Sequence, residues 1–252
     1  MFRISAVRGN AGRRSAPRKS AWWVMLGLPA LVPAILAVAE VTSLSVSPTD
    51  ISSRSSATGT VKVSGFTGIS TRQQNVTVTL ANSNPSVLTV PATVVVGPPL
   101  GIKTFTVSAV AGAAGCATIS ARVGTTPAQS TVVFVPPPPA PAQAPLRLAV
   151  PAQMVGVPTT TTGTVSLTLP VQQPPPNGVV QLTSSNASVR VPASVTIALR
   201  VDEMGVYTGQ ASFPITLTTS FSTNSCSVIT ATTAGTQGRG LLKILSSSAI
   251  GG

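Results

Sequence analysis

An all-β protein of two tandem sandwich domains behind an apolar N-terminal segment is the fold that the sequence predicts, on three observations. Val, Thr, Ser and Ala dominate, while only 8% of the 252 residues are charged, a composition suited to pleated, half-buried surfaces. Apolar residues alternate with Thr and Ser in short runs bounded by turn formers. The whole pattern then occurs a second time, about a hundred residues further on.

The N-terminus reads as an address. Six basic residues lie between Arg3 and Lys19, and an uncharged, mainly apolar run over 21–39 closes on Ala37-Val38-Ala39 before Glu40. A basic stretch, an apolar stretch and a small-x-small site are the parts of a secretory signal. Residues 1–39 are therefore predicted to be a signal peptide cut between Ala39 and Glu40, with Ala37, Ala39 and Glu40 as cleavage-site residues. The competing reading is a retained anchor, since these 19 residues are nearly enough to span a bilayer. Pro29 and Pro33 weigh against a stable spanning helix. Any membrane contact runs through this segment, and the predicted location is secreted, periplasmic or at the cell surface. The Arg13-Arg14 pair lacks the apolar residues that complete a twin-arginine signal.

The net charge of +12 is misleading about partners. From Glu40 onward ten basic residues stand against four acidic ones, a balance of +6. The ten are scattered singly, without the clustering and stacking aromatics that a nucleic-acid groove requires. Nucleic acid is not an expected partner.

The repeat is explicit. Thr58-Gly59-Thr60-Val61 returns as Thr162-Gly163-Thr164-Val165, and Ser83-Asn84-Pro85-Ser86-Val87 returns as Ser185-Asn186-Ala187-Ser188-Val189. Phe105 answers Phe213, and Cys116-Ala117-Thr118-Ile119 answers Cys226-Ser227-Val228-Ile229. Such a period is a whole domain, not a solenoid unit. Within each copy the period is two: Val76, Val78 and Leu80; Val165, Leu167 and Leu169; Val195, Ile197 and Leu199; Phe213, Ile215 and Leu217. One face of each run is predicted to enter a core and the other to meet water. Turn formers such as Ser64-Gly65 and Gly97-Pro98-Pro99 cut these runs into short strands. The predicted domains are 40–135 and 146–252. The six prolines within 136–145 predict a semi-rigid polyproline II spacer between them.

These motifs resemble the bacterial immunoglobulin-like repeats strung along secreted and cell-surface proteins, and the resemblance covers nearly all of residues 41–248. It implies two tandem immunoglobulin-like (Greek-key) β-sandwich domains. In that family such domains act as spacers, adhesive modules or partner-binding units. Neither copy carries the paired cysteines and core tryptophan of antibody domains, and the second is irregular around Pro174-Pro175-Pro176 and Asp202-Glu203.

The residues that carry chemistry are few. There is no histidine, which removes the commonest general base. The only neighbouring carboxylates, Asp202 and Glu203, are adjacent, and adjacent strand residues point to opposite faces. The expectation is no catalytic residue and no cofactor or metal, with Asp202, Glu203 and Tyr207 as a candidate ligand loop. Both tryptophans fall within the signal, and Phe105 and Phe213 read as core. Cys116 and Cys226 sit at equivalent positions, opposite in parity to Ile119 and Ile229. Equivalent points on tandem domains are expected a domain length apart, beyond the roughly 7 Å between Cα atoms that a disulfide tolerates. Two readings stand: half-buried free thiols, or an intermolecular disulfide in an oxidising compartment. Two functions stand as well. One is a non-enzymatic structural or adhesive module that contacts a protein partner or itself. The other is an exported accessory protein that binds a polysaccharide or protein ligand.

Overall fold

The computed structural model describes residues 39–65, 75–141, 144–169, 178–233 and 235–247. The signal segment up to residue 38 with Ala37, the prolines 174–176 and residues 248–252 lie outside them.

The first copy forms β1 (Glu40–Ser47), β2 (Ser56–Ser64), β3 (Val76–Asn82), β4 (Leu88–Thr89), β5 (Thr93–Val96), β6 (Ile102–Ala109), β7 (Gly115–Arg122) and β8 (Gln129–Val135). They build two sheets, ordered β1-β2-β6-β4 and β5-β3-β7-β8. The second copy forms β9 (Leu146–Ala149), β10 (Gln153–Val155), β11 (Thr159–Leu169), β12 (Val179–Ser184), β13 (Val189–Arg190), β14 (Ser194–Thr196), β15 (Arg200–Val201), β16 (Tyr207–Leu217), β17 (Ser225–Thr233) and β18 (Thr236–Leu245). Its sheets run β9-β11-β16-β13, with β15 also on β16, and β10-β18-β17-β12-β14. Strands β1, β2 and β6 facing β3, β7 and β8 in the first copy, and β9, β11 and β16 facing β12, β17 and β18 in the second, make the immunoglobulin-like sandwich. The protein is all-β, with two such sandwiches in tandem. In both copies the chain touches the first sheet (β4, β13) before returning to the second (β5, β14).

The alternation reads directly as burial. Val61, Val78, Val107, Ile119 and Val133 close the first core; Val165, Val180, Ile215, Ile229, Leu242 and Ile244 close the second. Each such side chain contributes roughly 1.5–3 kcal/mol on burial. The repeated glycine has a mechanical reason. Gly59 faces Phe105 across β2–β6, and Gly163 faces Phe213 across β11–β16. A Cβ at either glycine would collide with the phenyl ring opposite, so glycine and phenylalanine form one unit in each copy.

One predicted strand differs. The alternation over 195–199 continues past β14, which ends at Thr196. The following residues leave the sheet to pass over Gly178 and Gly209, where a side chain would meet the Ile197 and Ala198 carbonyls. Ile197 still buries, while Val195 and Leu199 lie half-buried against the core. The residue pattern records burial, and burial persists where the pairing stops.

Candidate functional site

The feature that brings reactive side chains together lies between the sandwiches. Cys116 at the start of β7 and Cys226 at the start of β17 form a disulfide, with Cα atoms 6.1 Å apart. This corrects both sequence readings: the thiols are not free, and their partner is intramolecular. It also corrects the expectation that equivalent points on the two copies lie a domain length apart, because the two copies touch. The physical reason is that equivalent faces of the two copies pack on each other, Phe134 and Val132 of the first beside Cys226, Val228 and Leu241 of the second, which brings the equivalent cysteines within bonding reach.

The surrounding residues obey the same relation. In register, Phe134 pairs with Cys116 and Lys243 with Cys226, so Phe134 and Lys243 are equivalent. The Lys243 ammonium sits over the Phe134 ring, 5.3 Å from its centroid. Val132 and Leu241 are likewise equivalent, through Thr118 and Val228. Phe134, Cys226 and Leu241 make a small third cluster, flanked by Cys116, Val132 and Val228. Lys243 also pairs with Asp50, Nζ to Oδ1 at 2.6 Å. That pair is partly exposed, so it orients more than it stabilises. The same charge over a ring adds a cation–π attraction on the order of 1 kcal/mol.

The repeated Ser-Asn dipeptide positions each cysteine. The Asn84 amide donates to the Cys116 carbonyl at 3.4 Å, and the Asn186 amide donates to the Cys226 carbonyl at 3.1 Å. One residue earlier, the Ser83 and Ser185 hydroxyls accept from the backbone amides of Thr118 and Val228 at 2.9 and 2.8 Å. The Ser-Asn turn therefore holds the opening residues of each cysteine-bearing strand from the side, which fixes where the sulfur can point.

The predicted ligand loop turns out to be a hairpin turn. Asp202 Oδ1 accepts from the amides of Met204 and Val206 at 3.0 and 2.8 Å, and Gly205 supplies the positive φ of 81°. Its carboxylate is thus occupied with its own backbone. Glu203 is exposed, and Tyr207 opens β16 and packs on the second core. No group of three or more His, Cys, Asp or Glu placed to share a metal occurs among the described residues. Asp202→Ala should cost ~1 kcal/mol, from two exposed turn hydrogen bonds, and Glu203→Ala less than ~0.5; urea titrations of the two variants check both values.

At the N-terminal end, Ala39 packs partly against the first core and Glu40 opens β1, exposed. No helix among the described residues is long and apolar enough to cross a membrane.

No protein-family model matches the chain, and no curated protein matches it. Among solved structures it is similar to the D0-D1 domain of intimin, at 15% identity over 82% of this chain and 100% of that one, TM-score 0.31. It is similar to the adhesin InvE of Yersinia pseudotuberculosis, at 16% identity over 80% of this chain and 58% of that one, TM-score 0.28. A third is invasin, a bacterial integrin-binding protein, at 15% identity over 80% of this chain and 40% of that one, TM-score 0.31. What makes this chain a pair of immunoglobulin-like sandwiches is its own strand order and its two separate cores.

Proposed function

We propose that the chain is an exported, non-enzymatic structural or adhesive module, composed of domains 40–135 and 146–252 clamped together covalently after removal of residues 1–39. It acts through contacts with a protein partner or with copies of itself at the cell surface or beyond. The observation that carries this reading is the Cys116–Cys226 disulfide. Cytosolic thiols are kept reduced and disulfides persist outside, so the bridge supports export independently of the basic-apolar N-terminus. A clamp between two sandwiches serves to fix their relative orientation, which a spacer or adhesive module needs and a flexible tandem lacks. The Thr- and Ser-rich outer strands, in a chain without histidine, suit shallow contact better than catalysis.

The test is to export the full chain and map its ends and thiols. Protein starting at Glu40, monomeric without reductant and with both cysteines protected from alkylation, is the expected result. Two alkylatable thiols, a disulfide-linked dimer or a retained N-terminus would each contradict the reading.

A further inference from the structure

We propose that the outer face of β9, β11, β16 and β15 in the second sandwich binds an extended acidic polysaccharide. The placement follows from register. Arg147 on β9 stands opposite Ser166 on β11, which stands opposite Gln210 on β16. One row along, Thr168 stands opposite Thr208, which stands opposite Arg200 on β15. Directly paired residues share a face, and residues two apart return to it. Two guanidiniums therefore bracket a neutral field of hydroxyls and amides, three strand steps or about 14 Å wide.

The surface is shaped as well as charged. Two shallow depressions of about 950 and 520 Å³ share Ser166 and Gln210 and so form one track. The larger adds Arg239 and Gln237 from β18 and is walled by Pro137, Pro138 and Pro139. Arg147 donates to the Pro141 carbonyl at 3.4 Å, which holds the linker against this edge. Three arginines line the track, and no carboxylate does.

The chemistry selects the ligand class. A guanidinium fork matches a carboxylate or sulfate, and Ser, Thr and Gln side chains exchange hydrogen bonds with sugar hydroxyls. No aromatic side chain lines the track, so bases have nothing to stack on. The cations are also far sparser than the one charge per ~1.7 Å of duplex DNA. The first sandwich is an internal control. Its matching row is Ser43, Lys62 and Ile102, with no arginine and an exposed isoleucine in the place of Gln210. The fold does not require this face.

The inference stands apart from the disulfide clamp, and its test leaves that clamp untouched. Purified mature protein is passed over dextran and over carboxymethyl dextran of the same length at ~0.15 M salt. Expected is retention on the carboxymethylated polymer alone. Arg200→Glu with Arg239→Glu should raise its Kd at least tenfold, while Lys103→Glu with Arg122→Glu, the same charge change on the first sandwich, should leave it within twofold. Circular dichroism confirms that each variant is folded. Absence of retention, equal retention on plain dextran, or equal loss in both pairs of variants would each overturn the proposal. So would tighter binding to single-stranded oligonucleotide that the Arg200/Arg239 pair abolishes, since the occupant would then be nucleic acid.

Discussion

Ile215→Asp should unfold the second sandwich and leave the first intact. Ile215 is fully buried near the end of β16 and belongs to the same core cluster as Val165, Val180 and Ile229. The substitution removes ~2 kcal/mol of apolar burial and places an unpaired charge in the core, at several kcal/mol more. Domain stabilities of about 5–15 kcal/mol leave little margin for that. Calorimetry should show one of two thermal transitions lost. Val78→Asp, equally buried in the other core, should remove the other transition instead. Loss of both transitions from either substitution would mean that the two cores do not fold separately.

Gly163→Val should destabilise by about 1–3 kcal/mol, through Phe213 rather than through the backbone. A Cβ at Gly163 would lie 2.5 Å from the Phe213 ring and 3.0 Å from Ile215. Phe213 is only 2% exposed, so the ring has no free volume to enter and must leave its rotamer or its site. The diagnostic measurement is a double-mutant cycle with Phe213→Leu. If glycine and ring form one unit, the double variant regains at least ~1 kcal/mol over the sum of the singles. Additive losses would separate the two positions.

Much of the fold was legible because the sandwich records itself as a period of two. Runs such as Val165, Leu167 and Leu169 report their buried face without reference to any partner strand. The repeated Thr-Gly-Thr-Val and Phe positions were visible too, although their physical coupling was not, since it needs the cross-strand register. The inter-domain contact was misread for a definable reason. End-to-end tandem geometry places equivalent residues a domain length apart, which excludes an intramolecular disulfide and leaves only the intermolecular one. A signal against it was present in Val132-Val133-Phe134-Val135 and Leu241-Leu242-Lys243-Ile244. There alternation breaks into nearly continuous apolar residues, as expected of strands covered on both sides. Together with cysteines off the core parity, those runs mark an outer face that is itself an interface. The arginine track escaped linear reading because Arg147, Arg200 and Arg239 are far apart in sequence and come to one surface only through the pairing of β9, β11, β16 and β15 and the approach of β18 to β9.

The sulfur bridge also changes how tension would pass through the molecule. A pull between Glu40 and Ser247 follows the shortest covalent path: along the first sandwich to Cys116, across to Cys226, and out through β18. Residues 117–225, including the proline segment and most of the second sandwich, lie on a side loop that carries no force. Full extension then reaches only roughly half the length of the uncrosslinked chain, at about 3.3–3.6 Å per residue. Oxidised, the molecule is a short tether with a shielded interior; reduced, it is a long one.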